Sequence, residues 1–220
     1  MRIVKEAEER RNEILDAAER LFSGKGYNHT TINHILDEVQ IAKGTFYYYF
    51  KSKEEVMDAI IDRVNARDVQ AAELIVRDKS LTPVEKIYQI LAGQQPKGGD
   101  FKDMMIRQFN SPSNAEMQQK SIALSIKALS PILAIAVQEG IDQGIFHTGY
   151  PQEAMEILLV SGQILFDPVM FHWTEEESQR KIMAFIAAAE TLLGAEQGSF
   201  EFVGRILAAG GQENGCRHGE

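Results

Sequence analysis

Residues 41–56 read Ile41-Ala42-Lys43-Gly44-Thr45-Phe46-Tyr47-Tyr48-Tyr49-Phe50-Lys51-Ser52-Lys53-Glu54-Glu55-Val56, and their reading decides the fold. Phe46 and Phe50 lie one helical turn apart and fall on one face, while Lys43, Gly44, Thr45, Tyr47 and Tyr48 fall on the other. Immediately upstream, Ile32, Ile35, Leu36 and Val39 mark a second short helix, capped by Thr30 or Thr31. Two short helices joined by a tight turn, here near Gln40-Ile41, form a helix-turn-helix pattern. Ile32, Ile35, Val39, Ile41, Phe46 and Phe50 are expected to pack on a first helix running from about Ile3 to Ser23. That helix repeats Ile14, Ala18, Leu21 and Phe22 on one face and is stopped by Gly24-Lys25-Gly26.

The outward side of the second short helix has residue types suited to a DNA duplex. Lysine attracts phosphate, glycine allows close backbone approach, and threonine and tyrosine hydroxyls donate to phosphates or base edges. The Ser52-Lys53-Glu54-Glu55 run reads as a capping box opening a long helix with Val56, Ile60 and Val64 in register, to about Asp78. Its positive N-terminus and Lys53 add to the same side.

The rest of the chain also reads as helix. Thr82-Pro83-Val84-Glu85 is a helix start, Asp100 follows a loop over Gln94–Gly99, and Ser113-Asn114-Ala115-Glu116 opens a helix kinked or restarted at Ser130-Pro131 and ended by Gly144. Pro151 begins an apolar helix to about Phe171, bent at Pro168. Thr174-Glu175-Glu176-Glu177 caps another with Ile182, Phe185, Ile186, Ala189 and Leu193 on one face. A short helix is read around Phe200–Leu207. No sustained apolar/polar alternation or hairpin signal occurs. The expected architecture is all-α with nine to ten helices: a helix-turn-helix domain over 1–50, a helical domain over 51–208 and a disordered tail over 209–220.

Charge and composition narrow the classes. The first 55 residues hold nine Lys/Arg and ten Asp/Glu, and the remainder hold 14 and 22, so the net charge of −9 sits almost wholly in the C-terminal part. Whole-chain acidity therefore neither supports nor excludes a nucleic-acid partner. A single cysteine, Cys216, excludes an intrachain disulfide framework. The N-terminus turns charged at once, and the most apolar runs, Ile122–Val137 and Ile157–Phe166, are short or broken, so no membrane span is expected and the cytoplasm is the expected location. There is no phosphate-binding glycine loop, no Cys or His pair at metal spacing and no Gly-x-Ser-x-Gly elbow, so neither an enzyme nor a cofactor site is expected. His172, beside Trp173, reads as a helix-end histidine rather than a metal ligand.

With these residues in view, the stretch Thr30–Leu36 and Ile41–Val56, led by Ile14–Phe22 and Gly26-Tyr27, resembles the signature of TetR/AcrR-type transcriptional regulators. The resemblance covers roughly residues 10–57. It implies a homodimer in which the first three helices bind half of a palindromic operator in double-stranded DNA and the last two long helices pair with their twins. Carried over by motif position, the DNA-contacting residues are Thr31, Asn33, Lys43, Gly44, Thr45, Tyr47, Tyr48 and Lys53. Lys53 and Tyr47 are taken as phosphate anchors, and Gly44, Thr45 and Tyr48 as base-facing. The chain departs from the family pattern at Gln40, where a turn glycine is usual, and at Leu36, where alanine is. The C-terminal part matches in architecture alone. Met104, Met105, Phe109, Met117, Gln163, Phe166, Met170 and Trp173 are its candidates to line a cavity for a small-molecule effector, although apolar cores draw on the same residue types. The expected dimer bundle is Pro151–Phe171 with Glu175–Leu193, with Gly162, Ala184, Ala187 and Ala188 allowing close approach. Two other readings fit the same residues: a DNA-binding architectural protein without a ligand, and a helical module whose hairpin binds a partner protein.

Overall fold

The structure, a computed structural model, describes residues 2–94, 102, 115–167 and 170–206, without the side chains of 2–6 and 115–117. Among these residues there are helices and no strand. They fall into two compact units, one built on residues 2–66 and the other on residues 67–94 and 119–206.

The first unit holds α1 (Arg2–Lys25), α2 (Ile32–Val39), α3 (Lys43–Tyr49) and the first half of α4 (Lys53–Arg77). Its core interleaves Ile14, Leu15, Ala18 and Phe22 of α1, Ile35 of α2, Phe46 of α3 and Phe50 with Val56, Met57, Ile60, Ile61 and Val64 of α4. This core runs on past residue 50, so α4 is structurally part of the small unit as well as the path out of it. Thr31 is the N-cap of α2: its Oγ1 accepts from the His34 N–H (3.3 Å), and its own N–H donates to His34 Nδ1 (3.2 Å). Thr30 has a different part, being buried with its hydroxyl donating to the carbonyls of Gly26 (2.9 Å) and Leu21 (3.3 Å). α2 ends at Gln40, left-handed at φ 56°. Among the described residues it is the one non-glycine with positive φ, a conformation that costs an L-residue about 1–2 kcal/mol. Leu36 is half-buried at the edge of the same core.

α4 opens with half of the expected box. Ser52 Oγ accepts from the Glu55 N–H (3.2 Å), but the Glu55 carboxylate reaches one residue further back, to the Lys51 N–H (2.5 Å). From the far side of the unit, Arg63 on α4 ties to α1 through Asp16 (2.6 Å) and Glu19.

The second unit comprises the rest of α4, α5 (Pro83–Ala92), α6 (Ala115–Asp142) from residue 119 on, α7 (Pro151–Leu165), α8 (Glu175–Leu193) and a short α9 over 201–206. Thr82 and Thr174 both make complete capping boxes, with Glu85 and Glu177 as the reciprocating residues. Two expectations need correcting. Of the kink or restart read at Pro131, the restart does not occur: α6 is one helix through that residue, and Leu129, Ile132 and Leu133 anchor the turn in the core. α7 ends at Leu165, not Phe171: Phe166 leaves helical geometry, and the Trp173 indole N–H donates to the Leu165 carbonyl (2.9 Å), satisfying a helix-end acceptor. Pro168, Asp100, the 113–114 capping signal and the 209–220 tail lie outside the described residues. Gln118–Asp142 of α6 is long and apolar enough to cross a membrane by length and composition, with a mean hydropathy of 1.6, which the broken-run reading missed. Its apolar residues Leu129, Leu133, Ala136 and Val137 are buried in the second core.

Gly140 on α6 shows how closely that core is packed. A Cβ there would come within 2.2 Å of the ring of Phe146, which is itself fully buried. Gly140→Ala is therefore expected to destabilise the protein by about 1–3 kcal/mol through overpacking, read as a lowered urea midpoint; an unchanged midpoint would show that the ring has room to move.

Candidate nucleic-acid interface

Phe46 decides how α3 is set. It is fully buried, and one turn on Phe50 is buried too, with the two rings 6.0 Å apart. A helix with those positions fixed inward must turn the intervening residues outward. Tyr48 is 78% exposed and Tyr47 is 45% exposed, and Lys43, Gly44, Thr31 and Asn33 are exposed as well. Thr45 is half-buried. Tyr49 instead packs against the core and meets Tyr48 edge-on at 4.9 Å. Lys43 Nζ lies 5.8 Å from the Tyr47 ring centroid, close enough for a weak cation–π contact that holds the ammonium on the outer face. A Cβ on Gly44 would meet nothing within 4 Å, so the fold does not require glycine there.

Lys53 differs from its expected place. Its Nζ donates to the carbonyls of Tyr27 (2.8 Å) and Thr30 (2.9 Å) and sits 4.1 Å above the Tyr27 ring. Burial pushes its pKa below the ordinary lysine value. The ammonium thus spends two of its three protons tying the α1–α2 turn to the start of α4. Tyr27 completes the knot: its hydroxyl donates to Glu54 Oε1 (3.3 Å), and burial followed by the Glu54 charge raises its pKa well above the usual phenol value. Glu54 is held below the usual carboxylate range by its own backbone N–H first, then by the Ser52 hydroxyl. Sequence reasoning took Lys53 for a free phosphate anchor and gave Tyr27 no role beyond the lead-in. Acceptors that are backbone carbonyls 23 and 26 residues away leave no side-chain pattern to read.

The expected effector-site residues are not gathered into one place by the described structure. Met104, Met105 and Phe109 lie outside the described residues, as does the side chain of Met117. Phe166 meets Phe185 edge-on at 5.7 Å, Trp173 stacks on Phe171 at 4.9 Å under the Lys181 ammonium, Gln163 is half-buried and Met170 is exposed. His172 is exposed, and among the described residues no group of three or more His, Cys, Asp or Glu side chains could hold a metal.

A small helical unit that buries one side of a seven-residue helix and offers the other to solvent defines the helix-turn-helix class of DNA-binding proteins. Comparison with known proteins makes this specific. Residues 14–60 match the family model described as bacterial regulatory proteins, tetR family, and residues 101–188 match the tetracyclin repressor-like C-terminal domain; together they cover more than half of the chain. The chain belongs to the TetR family of DNA-binding transcriptional regulators, which are not enzymes. An uncharacterized HTH-type regulator from Lactococcus lactis is 54% identical over 52 residues, 24% of this chain and 26% of that protein. The uncharacterized HTH-type regulator YerO of Bacillus subtilis is 26% identical over 173 residues, 72% of this chain and 59% of that one. The chain thus spans about a quarter and somewhat over half of these two relatives' lengths. Among solved structures, SmeT, the repressor of the Stenotrophomonas maltophilia multidrug efflux pump SmeDEF, superposes with a TM-score of 0.54 at 26% identity over 86% of this chain and 92% of SmeT.

Lys53→Met keeps the aliphatic stem over Tyr27 and removes both carbonyl bonds. It is expected to lower stability by about 1–3 kcal/mol, and to weaken DNA binding while leaving the slope of log affinity against log salt unchanged. A slope flatter by about 0.9 would instead mark a direct phosphate contact.

Proposed function

We propose that this regulator is a ligand-responsive repressor that binds a palindromic operator as a homodimer and is released by a small molecule held in its second unit. The observation that carries the DNA-reading part is the outward set of α3: Tyr48 stands 78% exposed while Phe46, two positions before it, is fully buried. On this reading Thr45, Gly44 and Tyr48 face bases, Tyr47, Lys43 and Thr31 face phosphates, and Asn33 lies at the edge of the contact. Lys53 acts behind them, by fixing the turn from which α2 starts.

Pairing through α7 and α8 is supported by what these helices leave uncovered. Ile157 and Val160 on α7 and Met183 on α8 are exposed apolar residues, and Ala184, Ala187 and Ala188 are exposed small ones beside them. Small residues permit the close helix approach that a four-helix bundle needs. Gly162 has a different use, since its Cα faces Phe185 of α8 within the same chain, where an added Cβ would sit 3.4 Å from the ring. In the bound dimer the two α3 helices meet successive major grooves, ~34–36 Å apart. The effector releases DNA only by as much as it favours the other arrangement of the dimer. Repression is supported by the likeness to SmeT. The lining of the effector site is sought among Met104, Met105, Phe109, Met117, Gln163, Phe166, Met170 and Trp173.

Selection of genomic fragments by the purified protein, with and without candidate small molecules, tests the whole reading; failure to enrich any duplex would overturn it. Thr45→Ala is expected to change which sequences are enriched, and an equal loss on every sequence would remove Thr45 from base reading. Ala187→Glu places a charge in the proposed seam and is expected to give monomers in sedimentation, with operator affinity lower by at least about tenfold. Dimers of undiminished affinity would put the seam elsewhere.

A further inference from the structure

The first turns of α1 run beside α3 and leave a cleft of about 460 Å³ between them, lined by Glu9, Arg10 and Glu13 from α1 and by Thr45 and Tyr48 from α3. Glu9, Arg10 and Glu13 all precede the matched stretch that begins at residue 14, and none of them is among the DNA-contacting positions carried over by motif. They stand at the rim of the face that reads DNA, and a duplex on α3 brings its sugar-phosphate backbone past them. Two negative groups at such a rim oppose binding and one positive group favours it.

In the free protein Arg10 pairs with Glu13, with the two side chains 43% and 53% exposed. An ion pair this wet is worth about 0–1 kcal/mol and is given up readily for a better partner. A phosphate is such a partner, because the guanidinium fork matches its oxygens and Glu13 offers only one oxygen to one nitrogen. Two other cations of this unit are otherwise engaged. Lys53 is held by the Tyr27 and Thr30 carbonyls, and the Arg11 guanidinium lies 5.1 Å from the Phe50 ring centroid.

We infer that Arg10 exchanges Glu13 for a DNA phosphate on binding, so that the start of α1 is a second contact element and Glu13 a built-in competitor that limits affinity. This rests on α3 being the reading helix. In the exchange no bond other than the ion pair is broken. The guanidinium stays charged throughout, and the counterions released are those of one phosphate.

The test is a salt series of binding isotherms on a duplex recovered from the genomic selection, with the full-length protein and its Arg10→Gln, Arg10→Lys, Glu13→Gln and doubly substituted Arg10→Gln/Glu13→Gln variants. Arg10→Gln should weaken binding and flatten the log–log salt slope by about 0.9, and Arg10→Lys should restore the slope. Glu13→Gln should tighten binding by about threefold, and that gain should vanish in the Arg10→Gln background. An unchanged slope in Arg10→Gln overturns the inference. So does a Glu13→Gln gain that survives without Arg10, which would reduce Glu13 to plain repulsion. If Thr45→Ala still alters sequence preference while these variants do nothing, the inference fails alone. If Thr45→Ala also does nothing, α3 is not the reader and both fail.

Discussion

The burial of Phe46 and Phe50 against α1 and α4 is the constraint on which the rest of the small unit depends. Truncating a buried phenylalanine typically costs about 3–5 kcal/mol, a large share of a small unit's stability, so α3 has one favourable rotation about its axis. That rotation exposes Lys43, Gly44, Tyr47 and Tyr48. A seven-residue helix could not hold such an orientation by propensity alone, since isolated helices of this length are unstable in water. Orientation here is a consequence of packing, and recognition is a consequence of orientation.

Charge is distributed with the same economy. The chain carries −9 overall, yet its first 55 residues are almost neutral, and several cations of the small unit are turned to internal use. Lys53 staples the α1–α2 turn, Arg11 covers Phe50 and Arg63 ties α4 to α1. On the proposed reading, what remains for phosphate is a short set of side chains plus the hydroxyls of Thr31 and Tyr47. Electrostatic attraction to DNA is therefore local rather than global, and screening by salt acts on a few contacts.

Much of this architecture was legible in the residues because it rests on short-range rules. The 3.6-residue period placed α1 to α4 within a few positions, and Thr-x-x-Glu runs placed the starts of α5 and α8, because a capping box is complete within four residues. Gln40 stood out as a residue in a glycine's place and is indeed left-handed. What sequence did not yield rests on long-range partners. Lys53 could not be told from a surface lysine without knowing where the carbonyls of Tyr27 and Thr30 fall. Pro131 read as a kink or restart because the packing that sustains α6 is tertiary, and the indole that meets the Leu165 carbonyl lies eight residues on. The Arg10–Glu13 pair drew no reading from sequence, being one i,i+3 charge pair on a helix surface, and gains meaning only from α3 set beside it.

Gly44 carries one consequence beyond the present molecule. Glycine inside a helix costs about 1 kcal/mol relative to alanine, and nothing in the protein lies within 4 Å of where a side chain would project. Position 44 is therefore released from the demands of folding while standing on the solvent-facing side of α3, the side proposed to meet DNA. Substitutions arising there would be filtered by the choice of target alone, leaving a descendant of this chain one site at which to acquire a new regulon without first repairing its stability.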